Sequence, residues 1–168
     1  MQTRRGYDRT SVSRGGASET ARRYIAAAIG VLAAVYAVTF LLGALLHLGV
    51  RIPAGAEVLA EPRIFPASVV EGLCGLFLAA GAHAALTGRT WAWPALIVAH
   101  GFALGGVLLG VTALAVGAGP STELNEVYHR VMLVALASGL VLLLTPVGRA
   151  AFGRGGRGGG GLSGGDAS

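Results

Sequence analysis

Lysine is absent from this chain, acidic residues are few and cysteine occurs once. Each scarcity narrows what the molecule can be. Charged residues make up 12% of the 168 positions, where a soluble domain carries about a quarter, so an ordinary water-soluble globule is excluded. Disorder is excluded as well, because 54% of the residues are hydrophobic and such a chain does not stay solvated. Cys74 lies alone in an apolar run, which rules out an intrachain disulfide and any CxxC metal or redox motif. A P-loop, HExxH, a hydrolase elbow and a dinucleotide fingerprint are all missing.

What is present is Arg at the ends and apolar residues between. All 13 basic residues are Arg, nine of them within the first 23 and last 20 positions. With 28 Gly and abundant Ala, this composition points to high-GC coding and an actinobacterial type of source. The formal charge of +5 would suit a nucleic acid, but Arg gathered on a cytoplasmic face against anionic lipid accounts for it. The lipid bilayer is the expected partner, and nucleic acid is not.

A bilayer core needs about 20 mainly apolar residues per helix. Four stretches meet that requirement, at 24–46, 66–86, 93–116 and 122–145. They are apolar on every side, whereas barrel strands would alternate. The expectation is an all-α, polytopic transmembrane four-helix bundle over 24–148. A disordered basic arm (1–23) and a disordered Gly/Arg-rich tail (149–168) flank it. Pro66 and Pro94 suit first helical turns, Trp91 and Trp93 suit the headgroup belt, and Ser121 or Thr122 can cap the fourth helix. Pro146 and Gly148 end it. Ala54-Gly55-Ala56 has the look of a signal-peptide cleavage site, but the preceding apolar run is longer than the usual h-region. With the N-terminus inside, ten Arg fall on inner segments and three, Arg51, Arg63 and Arg130, on outer ones. This predicts a multi-pass protein of a bacterial cytoplasmic membrane with both termini cytoplasmic.

Lipid is as apolar as Leu, so small residues that admit close contact must hold the helices together. Gly101, Gly105, Gly106 and Gly110 form two overlapping GxxxG pairs in the third span, and Gly72 and Gly75 lie in the second. These two faces are expected to pack together, or to form the interface of a homo-oligomer.

Ionisable groups in a bilayer mark candidate sites. By depth they sort into an outer cluster of His47, Glu71, Glu123, Glu126, His129 and Arg130, and an inner pair, His83 and His100. In the fourth span, Leu124, Val127, Tyr128 and Val131 share one face, while the polar residues, Asn125 among them, fill the other. Glu126 can touch both His129 and Arg130. The Glu-x-x-His spacing is that of one half of a di-iron motif, which His47 and Glu71 would complete around zinc or iron. The plainer alternative is a salt-bridged first turn at the membrane surface, with Glu123 and Glu126 at the positive end of the helix dipole. Glu71 lies deeper and needs a partner, with Arg63, Arg130 or His129 in reach, unless it is protonated. His83 and His100 would serve poorly as haem ligands, because their depths differ by about 6 Å. A polar contact from His100 to a backbone carbonyl, Thr87 or Thr112 fits better. No cofactor is expected, with haem or a transition metal as the alternative. Arg154 and Arg157 among glycines give one short RGG-like repeat, read here as a flexible tail.

The stretches AHGFALGGVLLG (99–110) and NEVYHRVMLVALASGLVLLL (125–144) resemble those of small four-span integral membrane proteins of actinobacterial-type bacteria. That resemblance covers spans two to four and implies no activity. Small multidrug-resistance transporters carry a membrane-embedded Glu in their first span, which this chain lacks, and DoxX-like proteins share only the four-span outline. Three functional expectations follow. The first is a non-enzymatic accessory or partner-binding membrane component. The second is a proton- or cation-coupled transporter or sensor using Glu71 and His129. The third is a metal- or haem-binding redox protein.

Overall fold

A computed structural model describes residues 10–118, 120 and 122–153. Its long elements are α1 (Thr10–His47), α2 (Phe65–Leu86), α3 (Ala92–Ala115) and α4 (Glu123–Leu144), followed by a short α5 (Pro146–Phe152). Between α1 and α2, β1 (Ile52–Ala54) and β2 (Glu57–Leu59) form an antiparallel hairpin. Four helices are long and apolar enough to cross a membrane, with mean hydropathies of 1.7–2.5.

The expected boundaries hold where their chemistry is local. Pro66 sits in the first turn of α2, and Thr122 caps α4 by accepting from the Asn125 amide at 3.1 Å. Pro146 opens α5 directly behind α4. Three expectations need correction. The arm at 1–23 is helical from Thr10, and Glu19 supports the continuation by pairing with Arg22 and Arg23, one turn on. Gly148 lies inside α5 rather than ending α4, and the expected tail is helical through Phe152. Residues 1–9, 119, 121 and 154–168 lie outside the described part, and with them one alternative cap and the Arg154–Arg157 repeat. The loop after α1 contains the third departure. The residues Ala54-Gly55-Ala56 form the turn of the hairpin, where Gly55 adopts a φ of +66° that favours glycine.

The helices pack in chain order, α1 on α2, α2 on α3 and α3 on α4. One core cluster draws on all four long helices, including Phe40, Leu78, Val107 and Leu136. A second lies towards the α5 end around Ile29, Ala85, Leu96 and Leu143. At that end the Trp93 indole donates to the Leu143 carbonyl at 3.0 Å, and Arg149 lies over the Trp93 ring. α1 and α4 meet through large side chains instead of closely packed backbones, with Phe40 edge-on to Tyr128 and the Tyr36 hydroxyl facing the Ala135 carbonyl.

The exposed faces are apolar, unlike those of a soluble protein. On α4 the inward positions are Asn125, His129, Met132, Leu136, Gly139 and Leu143, at alternating spacings of four and three. Leu124, Val127, Val131 and Val134 face outward, as do Val31, Val35, Val38 and Leu42 on α1. An apolar outer face, with the few buried polar groups turned inward, is the pattern that hydrocarbon surroundings impose.

The glycines do not pair as expected. Gly72 and Gly75 of α2 face α1, and a Cβ on Gly75 would lie 2.7 Å from Leu41 Cγ and 3.1 Å from the Ala37 carbonyl oxygen. Gly106 of α3 faces Cys74 and Val70 of α2, and Gly110 faces His129 of α4. Gly101 and Gly105 face outward, with nothing within 4 Å. Substituting Gly75 by Ala should force α1 and α2 apart and cost about 1–3 kcal/mol. Gly101→Ala meets no neighbour and should match or exceed the parent, by about 0.5–1 kcal/mol from helix propensity. Unfolding midpoints of the two variants in one detergent measure the difference.

Candidate functional site

The six side chains of the expected outer cluster lie at the hairpin end, and the structure divides them by helix face. On α1, the buried positions Ile29, Ala33, Ala37, Phe40, Ala44 and His47 make one stripe, which places His47 inward at the helix end. Glu71 stands on the buried face of α2 beside Ser68, Cys74 and Gly75. The two meet: His47 Nδ1 lies 2.9 Å from Glu71 Oε2, with the residues 3% and 5% exposed. None of Arg63, Arg130 or His129 is the partner of Glu71. A buried carboxylate needs a charge-assisted partner, and an imidazole at this distance shares one proton with it.

The pair is only half satisfied. Glu71 Oε1 and His47 Nε2 are both buried without a hydrogen-bond partner, as is the Tyr128 hydroxyl. Room for the carboxyl group comes from Gly43, one turn before His47 on α1. A Cβ there would approach Glu71 Oε2 to 2.9 Å. The same device recurs twice. The His129 ring of α4 fills the space left by Gly110 of α3, and the His100 ring of α3 lies 3.0 Å from the Cβ position of Gly139 on α4.

His129 and Asn125 turn inward with Glu71, while Glu126 turns outward and pairs with Arg130 at 3.1 Å on an exposed face. Glu123 is exposed. The surface-pair expectation thus describes Glu123, Glu126 and Arg130, but not His129. The Glu126-x-x-His129 motif splits between two faces. Among the described residues no group of three or more His, Cys, Asp or Glu is placed to hold a metal ion. His129 Nδ1 donates to the Asn125 carbonyl at 2.8 Å; a carbonyl only accepts, so Nδ1 carries the proton and Nε2 of the neutral ring is an acceptor.

The inner pair does not assemble. His83 is exposed on α2. His100 is buried, donates from Nδ1 to the Leu96 carbonyl of its own helix at 2.8 Å, and stands edge-on to Tyr36. Its contact is with a backbone carbonyl, as expected in kind, but within α3 rather than between helices.

Cavities surround the buried pair. The first, about 170 Å³, lies between α1 and α4 beneath the hairpin; its wall includes Leu42, Leu46, His47, Glu61, Glu71 and Tyr128. A second, about 260 Å³, lies on the other side of Glu71 and reaches His129. A third, about 100 Å³, joins His47, Asn125 and His129; it has room for several waters beside polar groups. Glu61 was not anticipated. It accepts from the Thr122 hydroxyl at 2.7–2.8 Å and so ties the loop after the hairpin to the start of α4. Nothing in its own loop sequence distinguishes it, because only folding brings Thr122 to it. Gly43 and His47 carried a usable signal, since their spacing of four puts them on one helix face.

Replacing His47 by Leu should strand the Glu71 carboxylate and cost about 3 kcal/mol at neutral pH. Replacing both, His47→Leu with Glu71→Met, should recover most of that loss. A double-mutant cycle of unfolding in detergent reads the coupling directly. Comparison with protein-family models, with curated proteins and with solved structures finds no match for this chain.

Proposed function

We propose that this chain is a multi-pass membrane protein, a transporter or sensor, whose His47–Glu71 pair takes up and releases a proton in step with the occupancy of the adjoining cavity. The Arg distribution supports a bacterial cytoplasmic membrane with the hairpin end outside and both termini inside. The observation that carries the functional reading is the buried, half-satisfied contact between His47 and Glu71 on a cavity wall. The remaining oxygen and ring nitrogen of the pair have no protein partner among the described residues, and a buried polar atom left unmet destabilises the fold. Here they lie on the wall of a cavity at the hairpin end. Two groups in hydrogen-bond contact at 2.9 Å are coupled, so a change of proton number at one is felt at the other. The expected pairing of Glu71 with His129 becomes an indirect one. His129 lines the second and third cavities and a further one beside Glu126 and Arg130, and offers an acceptor nitrogen towards a route for protons from that surface.

A second reading, an accessory component that binds a partner or a second copy of itself, draws on the outward face of α3, where Gly101 and Gly105 have no covering atom.

Histidine-selective NMR of the detergent-solubilised protein tests the first reading. The His47 ring signals should titrate between pH 4 and pH 9, and Glu71→Gln should displace their midpoint while leaving His83 unmoved. A His47 signal that is constant over this range, or one that titrates identically in Glu71→Gln, would contradict the reading.

A further inference from the structure

The first cavity has a chemistry of its own. Its wall is mostly hydrocarbon, from Leu42, Leu46, Leu59 and Leu124, and its acidic groups are two carboxyls, Glu61 and Glu71. The His47 imidazole is its one basic group, and it is already engaged with Glu71. No Arg lines it. An anion placed there would meet two carboxyls in a poorly hydrated space, and a neutral polar molecule would supply no charge to balance the second of them. A cation with an apolar body satisfies both parts of the wall.

The way in is also defined. The cavity lies at the seam where α1 and α4 meet through side chains rather than closely packed backbones. Leu42 and Leu124, on opposite sides of that seam, are each 44% exposed on the apolar outer surface. The opening therefore faces the hydrocarbon of one leaflet, with Glu61 and the hairpin above it on the headgroup side. A molecule with a charged end and an apolar body lies in a bilayer at this depth, its charge towards the headgroups.

We propose that this cavity binds an organic ammonium ion, entering sideways between α1 and α4, with its nitrogen at Glu71 and its apolar body against Leu42, Leu46 and Leu124. This rests on the reading of His47–Glu71 as a proton-exchanging pair. Charge neutrality then links the two events. With the site empty of ligand, His47 holds the positive charge opposite Glu71. When the ammonium nitrogen takes that place, one proton leaves His47 for the outer water and the imidazole remains neutral. Ammonium and proton thus compete for one negative group, and binding strengthens as the pH rises. A free amine and an aminophospholipid headgroup present the same ammonium chemistry.

The test is equilibrium dialysis of labelled phenethylammonium against the full-length protein in nanodiscs. The neutral and anionic isosteres, 2-phenylethanol and 3-phenylpropanoate, serve as comparison, and protein-free discs correct for partition into lipid. Saturable uptake of the ammonium should exceed that of both isosteres by about tenfold or more, should grow with pH, and should fall by a similar factor in Glu71→Gln. Leu124→Trp, which narrows the opening and keeps both carboxyls, should also weaken uptake and so guards against a folding defect in the first variant. Weaker uptake in phosphatidylethanolamine discs than in pure phosphatidylcholine discs assigns the natural ligand to the lipid; equal uptake assigns it to a free amine. Equal uptake of all three probes, or uptake unchanged in both variants, would overturn the ammonium assignment. If His47 still titrates with Glu71 in that case, only the ligand class fails; if it does not, the pair's proton exchange fails first.

Discussion

A carboxyl group surrounded by hydrocarbon must find its partner within the protein, and the contact between Glu71 and His47 answers that requirement at 2.9 Å. Much else at the hairpin end follows from it. α1 must present His47 inward at its last turn. α2 must enter the apolar region close enough to α1 for Glu71 to reach across, and Gly75 lets the two backbones approach below that point. Gly43 must lack a side chain, because the carboxyl group occupies the place a Cβ would take. The loop between them then has to return over the top, which the hairpin and the Glu61–Thr122 hydrogen bonds achieve.

Glycine has a double role in this chain. Helix pairing in lipid gains little from apolar burial, and small residues compensate by allowing contact. Gly75 fits that description. Gly43, Gly110 and Gly139 do something further, each admitting one buried ionisable side chain from a neighbouring helix: Glu71, His129 and His100. The polar side chains are thereby held between helices at fixed depth, where their chemistry is strengthened by the low dielectric. This is how these buried ionisable side chains are accommodated between the helices.

The number and nature of the spans are legible in the sequence, since four mainly apolar stretches of this length are suited to crossing a membrane. Helix ends are legible wherever a residue marks them by its own chemistry, as Pro66, Thr122 and Pro146 do. The partner of Glu71 is not, because depth counted along a helix leaves His47, His129, Arg63 and Arg130 as equals and only the rotation of α1 decides. The glycine pairings fail for the same reason: Gly72 and Gly75 look towards α1, and spacing along α2 does not say which neighbour that is. The first turn of α4 shows the limit most clearly. A helical wheel separates Leu124, Val127 and Val131 from Asn125 and His129, but it groups Tyr128, whose hydroxyl is buried, with the outward residues. Of the polar arc only Asn125 and His129 turn inward, while Glu123, Glu126 and Arg130 face outward. The hairpin and the early start of α1 were hidden in segments whose Gly, Ser and Arg content reads as loop.

All of this depends on Glu71 and His47 touching when the protein is in a bilayer. Carbon–nitrogen dipolar recoupling by solid-state NMR, with labels at the Glu71 carboxyl carbon and His47 Nδ1 in lipid vesicles, measures that contact directly. The account predicts a strong coupling between the two labels, lost when His47 is replaced. An absent coupling, with both side chains exchanging freely with bulk water, would contradict it.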